Sequence, residues 1–170
     1  MTRSMGIALI STGGTIEKTY DESAGALSNR MSVLDVMLGS LKLEGVQIVR
    51  VALMNKDSLD MDDDDHTHIA TTAGEMAEAH DGVVVVHGTD RLSVTGERMV
   101  KLLGVPSAPI VLTGAMRPYE LRRSDALQNL TEALLAVQLL TAGVYVAMHN
   151  KVLSFPGVTK DGERGTFVSC

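Results

Sequence analysis

Val83-Val84-Val85-Val86-His87-Gly88-Thr89-Asp90 joins an unbroken run of β-branched residues to a polar turn that contains glycine, and Thr95–Leu103 follows with helical spacing. A run this short, apolar at every position, reads as a strand buried on both faces. The same unit recurs outward from it. Upstream, Ile7–Ile10 leads into Ser11-Thr12-Gly13-Gly14-Thr15, and Val46–Met54 leads into Asn55-Lys56-Asp57-Ser58. Downstream, Ile110–Leu112 leads into Thr113-Gly114-Ala115-Met116-Arg117-Pro118, and Val144–Met148 is a fifth run. Helical spacing covers Asp62–His80, Thr95–Leu103 and Asp125–Leu140. In the last of these, Leu127, Leu130, Leu134 and Val137 recur at intervals of three and four and make one apolar face, with Ser124 as N-cap and Gly143 as stop. This alternation predicts an α/β fold: a mostly parallel sheet with helices on both faces, Rossmann-like or flavodoxin-like. From Phe155 onward the chain is Gly-rich and polar and reads as a loop or C-terminal arm. No repeat, linker or boundary divides the sequence, so one domain over 1–170 is expected.

Composition narrows the function. The chain has 170 residues, 45% hydrophobic, with aromatics at 3% and no Trp, so the core is built from aliphatic residues and Met, the ten Met filling gaps. A net charge of −6 argues against nucleic acid as the main partner, because phosphate binding needs a basic face. The one Cys, Cys170, permits neither an intrachain disulfide nor a thiolate metal cluster. Ile7–Ile10 is too short for a signal-peptide core, and no stretch approaches a membrane span, so a cytoplasmic protein without membrane contact is expected.

In open parallel sheets ligands bind beyond the carboxyl ends of the strands. Four strand ends here carry hydroxyls, carboxylates and glycines to that edge. The Thr12–Thr15 turn can bring a threonine oxygen and backbone N–H groups against a substrate, and the free N–H groups after Gly88-Thr89-Asp90 can hold an anion or a developing oxyanion. Turns of this composition also serve as plain helix caps. Phosphate-loop, dinucleotide, nucleophile-elbow and zinc-helix motifs are absent from the sequence.

Six segments in order, Thr12-Gly-Gly-Thr-Ile16, Asp57-Ser-Leu-Asp-Met61, His87-Gly-Thr-Asp90, Thr113-Gly-Ala-Met-Arg-Pro118, Ser124-Asp-Ala-Leu-Gln-Asn-Leu130 and Val158-Thr-Lys160, resemble the bacterial-type L-asparaginase (asparaginase/glutaminase) family. The resemblance implies a two-step hydrolysis in which a threonine hydroxyl attacks the side-chain amide of L-asparagine, ammonia leaves, and water cleaves the acyl-threonine ester. Thr15 matches the family's nucleophile on a mobile N-terminal loop, and Tyr20 its orienting tyrosine. Thr89, Asp90 and Lys160 match a second triad, in which a neutral Lys160 acts as base on Thr89. Sequence leaves open which threonine attacks; Thr15 is preferred, with Thr89 as activator. Asp90 would also hold the substrate's ammonium and Ser58 its α-carboxylate, with Gly14, Leu59 and Ala115 lining the site. Leu59 stands where many members carry a polar residue. The family's smaller C-terminal domain has no counterpart in this sequence, so the short form is expected to work as a homo-oligomer, dimer or tetramer, without cofactor or metal. The alternatives are an ammonia-releasing amidase subunit of an aminoacyl-tRNA amidotransferase and a non-catalytic module that binds asparagine or aspartate.

Other features have plainer readings. Asp62–Asp65, with His66 and His68 nearby, read as acidic residues that complement the dipole at a helix start rather than as a metal site. Arg117, Arg122 and Arg123 read as a salt-bridged surface turn or subunit contact, and His87 as a hydrogen-bonded structural residue.

Overall fold

A computed structural model describes residues 3–170. In chain order the elements are β1 (Met5–Gly13), β2 (Thr19–Asp21), β3 (Ala26–Ser28), α1 (Leu34–Gly39), β4 (Val46–Lys56), α2 (Asp63–Ala79) and β5 (Gly82–Val86). There follow α3 (Leu92–Leu103), β6 (Pro109–Thr113), α4 (Ala126–Leu139), β7 (Gly143–Met148), β8 (Lys151–Ser154), β9 (Val158–Asp161) and β10 (Thr166–Ser169). The main sheet runs β4-β1-β5-β6-β7-β8; its first five strands are parallel and β8 is antiparallel. In-register rows cross it, such as Leu9 beside Val84 and Val84 beside Val111.

The continuous apolar runs are explained by two cores, one on each face. Ala8, Ile10, Val83, Val85, Ile110 and Leu112 pack under α2 and α3 with Ile69, Ala73, Leu92 and Met99. The intervening residues Ile7, Leu9, Val84, Val86 and Val111 pack under α1 and α4 with Leu34, Met37, Leu130 and Leu134. Successive strand side chains point to opposite faces, so a strand covered on both must be apolar throughout. Full burial of each such side chain stabilises the fold by about 1.5–3 kcal/mol.

The sheet order defines the switch point. The chain leaves β1 for β4 on one side and returns to β5 on the other, so crossovers diverge between β1 and β5. There the carboxyl edge opens a crevice. A second feature of the topology also shapes the site. The crossovers β5-α3-β6 and β6-α4-β7 step in the same direction, yet α3 and α4 lie on opposite faces. The α4 crossover therefore has the opposite hand to the other three, the exception to the right-handed rule. The segment after β6 consequently passes over the sheet's carboxyl edge, where Tyr119 N–H donates to Ile16 O at 3.3 Å.

Four expectations are corrected. The residues after Phe155 are not a loose arm: β9 and β10 form an antiparallel hairpin, and Phe155, Val158 and Phe167 are buried against the α2–α3 core. Those three scattered apolar residues carry no period, but they cover the end of α3. Gly143 does not stop α4; the helix ends where Leu140 turns extended, and Gly143 opens β7 beside Pro109. Helix α3 begins three residues earlier than its apolar spacing, at Leu92. Ser124 is not the N-cap of α4: that position is Asp125, and Ser124, one residue earlier, accepts Ala126 N–H through its hydroxyl at 3.0 Å. The acidic run before α2 forms a reciprocal capping box between Asp62 and Asp65.

Candidate functional site

The site is assembled where the β1 and β5 ends meet. Gly13 and Gly14 both have positive φ, 104° and 84°. A Cβ on Gly14 would lie 2.5 Å from Gly88 Cα and N, and one on Gly13 2.5 Å from the Lys56 backbone. Glycine is thus required at both positions by conformation and by space. Gly14 N–H donates to Lys56 O at 2.9 Å and Asn29 Nδ2 donates to Gly14 O at 2.8 Å, which fixes the turn that presents Thr15 at the start of a 3-10 turn, Thr15–Glu17. Two residues on, Glu17 is buried, with the Ser32 hydroxyl donating to its carboxylate. Burial raises its pKa above the usual range, against the opposing pull of Ser32, Arg50 and the Gly13 amide.

Thr89 is buried at the end of β5. Lys160 reaches it from β9, Nζ donating to Thr89 Oγ1 at 2.9 Å and to Asp90 Oδ1 at 2.7 Å. Gly157 N–H donates to Glu97 Oε1 at 2.7 Å and holds the base of this hairpin to α3. Ser58, buried in the 3-10 turn after β4, sits beside Gly88, where a Cβ would meet its Oγ at 2.7 Å. Its hydroxyl oxygen accepts Arg91 N–H at 3.2 Å, which leaves the hydroxyl proton free for an anion. Gly114 closes the other side, with a Cβ there 2.3 Å from His87 O, and Ala115 is buried behind it. Gly14, Thr89, Ser58 and the Gly114–Ala115 turn therefore come together around Gly88. Leu59 is 60% exposed beside Ser58, and Tyr20 is 54% exposed on the β2–β3 hairpin, tied down through its backbone N–H to Glu120.

His87 is fully buried below this cluster. Its Nδ1 lies 2.7 Å from Gly88 O, which only accepts, so Nδ1 carries the proton and Nε2 accepts from the Thr95 hydroxyl at 2.7 Å. Thr95 accepts in turn from His66 Nδ1 at 2.7 Å. Both imidazoles are neutral in this chain of bonds. Burial accordingly lowers the His87 pKa to about 4.

Several participants were not read from sequence. Asp125 accepts Met116 N–H at 3.0 Å, Arg117 N–H at 3.0 Å and Asn129 Nδ2 at 3.0 Å, and pairs with His149 Nε2 at 2.7 Å. Burial disfavours its charge, but these donors outweigh it and the pKa is lowered. Asn129 also donates to Gly114 O at 2.9 Å. The pair thus fixes the turn after β6. The Asp-x-x-x-Asn spacing was the available signal, since it puts both side chains on one helix face toward that turn. Arg117 donates to Arg122 O, a carbonyl, rather than forming the ion pair expected of the arginine cluster. Among the described residues no group of three or more His, Cys, Asp or Glu side chains is placed to hold a metal.

The fold and site together define an open α/β domain with a Thr-Lys-Asp cluster at its switch point. The model of the family described as Asparaginase, N-terminal matches residues 6–165, and the chain belongs to that family. The L-asparaginase of Thermococcus kodakarensis is 30% identical over 156 residues, 92% of this chain and 48% of that protein. The solved structure of the thermostable L-asparaginase from that organism superposes with a TM-score of 0.84, covering 97% of this chain and 51% of the other. A glutamyl-tRNA(Gln) amidotransferase subunit from Methanobrevibacter smithii is 33% identical over 148 residues, 86% of this chain and 34% of that protein. The chain thus spans about half the length of the matched asparaginase and a third of the matched amidotransferase protein.

Proposed function

We propose that this protein is an amidohydrolase that converts L-asparagine to L-aspartate and ammonia through an acyl-threonine ester. The observation that carries this reading is the Lys160 Nζ placed on both Thr89 Oγ1 and Asp90 Oδ1, beside the Gly14–Gly88 contact that sets Thr15. Thr15 attacks the side-chain carbonyl carbon, the C–N bond breaks, and the departing nitrogen takes a proton to leave as ammonia. Water then adds to the ester and restores the Thr15 hydroxyl. Ser58 donates its free proton to the α-carboxylate, and the second oxygen of Asp90, not held by Lys160, receives the α-ammonium. In this arrangement Lys160 donates to Thr89, so it takes the Thr89 proton only after releasing one of its own.

The same site in a tRNA amidotransferase would release ammonia for a partner, a second reading favoured by the 33% identical amidotransferase protein. We also place the protein in the cytoplasm as a homo-oligomer; among the described residues no helix is long and apolar enough to cross a membrane, and Leu135, Leu139 and Val152 form an exposed apolar group along α4 and β8. Ammonia release from L-asparagine, L-glutamine and D-asparagine tests the assignment. Release from L-asparagine that is lost in Thr15→Ala supports hydrolysis by Thr15. Preference for L-glutamine favours the amidotransferase reading, and aspartate binding without release from any amide favours a binding module.

A further inference from the structure

The turn that carries Thr15 and the turn that carries Ser58 come from different strands, and one carboxylate joins them. Asp57 divides its two oxygens. Oδ1 accepts Leu59 N–H at 3.0 Å and shapes the Ser58 turn, while Oδ2 accepts Lys18 Nζ at 2.6 Å. Lys18 closes the Thr15 turn, its N–H donating to Thr15 O at 3.1 Å. Thr15 therefore lies between two attachments to the same strand end: Gly14 N–H on Lys56 O before it, and Lys18 on Asp57 after it. Both side chains of the ion pair are less than a third exposed. Lys18 first, and then the Leu59 N–H, hold the Asp57 carboxyl below its usual pKa. Beside the pair is a cavity of about 370 Å³, bordered by Leu27 of the hairpin, by Asn29 just after it and by Asn55.

We propose that Lys18 and Asp57 are a positioning pair that fixes the distance between the attacking Thr15 hydroxyl and the Ser58 hydroxyl that anchors the substrate, and that holds the β2–β3 hairpin against the β4 end. The proposal rests on the roles given above to Thr15 and Ser58. The physical case is one of leverage. A partly exposed ion pair adds little to global stability. A displacement of about 1 Å between a nucleophile and the group that positions its substrate costs up to about a hundredfold in rate. Loss of the pair should therefore be read in turnover rather than in unfolding.

The test uses the full chain with Lys18→Met, Asp57→Asn, their double variant and Lys18→Arg. Asparagine turnover should fall about tenfold to a hundredfold in kcat in each single variant, with KM changed less. The double variant should be no worse than either single one, and Lys18→Arg should recover most of the rate. Additive losses in the double variant, or wild-type kcat in both singles, overturn the proposal. Hydrogen exchange of residues 15–29 supplies a readout that needs no activity: it should quicken in Lys18→Met while α2 and α3 stay unchanged. Should the wild-type chain release no ammonia, the functional reading fails; exchange then decides the clamp alone, and unchanged exchange overturns it.

Discussion

Lys160 Nζ stands 2.9 Å from Thr89 Oγ1, although the two residues belong to a late hairpin and to the end of a central strand. The contact depends on burial of Phe155, Val158 and Phe167, which dock the hairpin on α3. Replacing Lys160 by Met should lower kcat by about two to four orders of magnitude, the range for removal of a general acid–base. Lys160→Arg keeps charge and donors but cannot take a proton at neutral pH. Steady-state kinetics on both variants separate the roles: equal loss identifies a base, and substantial recovery in the arginine variant identifies electrostatic support.

Acylation distinguishes the two threonines. With a slowly deacylating amide, mass spectrometry of the digested protein should find the acyl group on the peptide containing Thr15. Thr15→Ala should abolish the adduct while L-aspartate still binds, because Ser58 and Asp90 are untouched. An adduct on the peptide containing Thr89 would exchange the two assignments.

Strands β1, β5, β6 and β7 were legible because burial on both faces forces near-continuous apolar runs, and the three long helices because each keeps one apolar face. Strand β4, at the sheet edge, was legible from its Val- and Ile-rich composition although none of its residues is buried. The turns around Gly14, Ser58, Thr89 and Gly114 were legible from their position after those runs. The reversed hand of the α4 crossover was not, since a helical face is the same on either side of a sheet. Nor was the β9–β10 hairpin, whose burial rests on Val158 and Phe167 among polar neighbours. Lys160 was placed by resemblance alone; its spacing from Thr89 carries no local signal. Lys18, Glu17 and the pairing of Lys18 with Asp57 were not legible because charged residues in a loop ordinarily face water, whereas here tertiary contacts pair or bury them.

Acid should destabilise the fold through His87. Its pKa is about 4 in the folded state against 6.5 when exposed, so the unfolded chain binds more protons between those values. The stabilising contribution is complete above pH 6.5 and is lost as pH falls through 4. The difference corresponds to about 3 kcal/mol. Urea unfolding at a series of pH values should show this loss. A His87→Gln variant should have a flatter profile across that window, and an unchanged slope would assign the acid sensitivity elsewhere.

Glu17 should give the opposite sign. The residue is 1% exposed, and its raised pKa means that the folded chain holds the proton more tightly than the unfolded one. Stability from this group is therefore greatest below its ordinary value of 4.5 and is lost as pH rises through the higher folded value. Glu17→Gln keeps an acceptor for the Ser32 hydroxyl and removes the charge. It should melt at or above the wild-type temperature near pH 8 and show a shallower fall above pH 4.5. Glu17→Leu also removes the acceptor for the Ser32 hydroxyl, which is exposed and can turn to water, so its cost should stay within about 1 kcal/mol at every pH. Because Glu17 ends the short turn that Thr15 begins, the leucine variant should lose more kcat than the glutamine variant. Thermal melts and kcat across pH 4.5–8 check both effects. A glutamine variant whose stability keeps the wild-type slope would show that Glu17 is not the group that resists ionisation beneath the site.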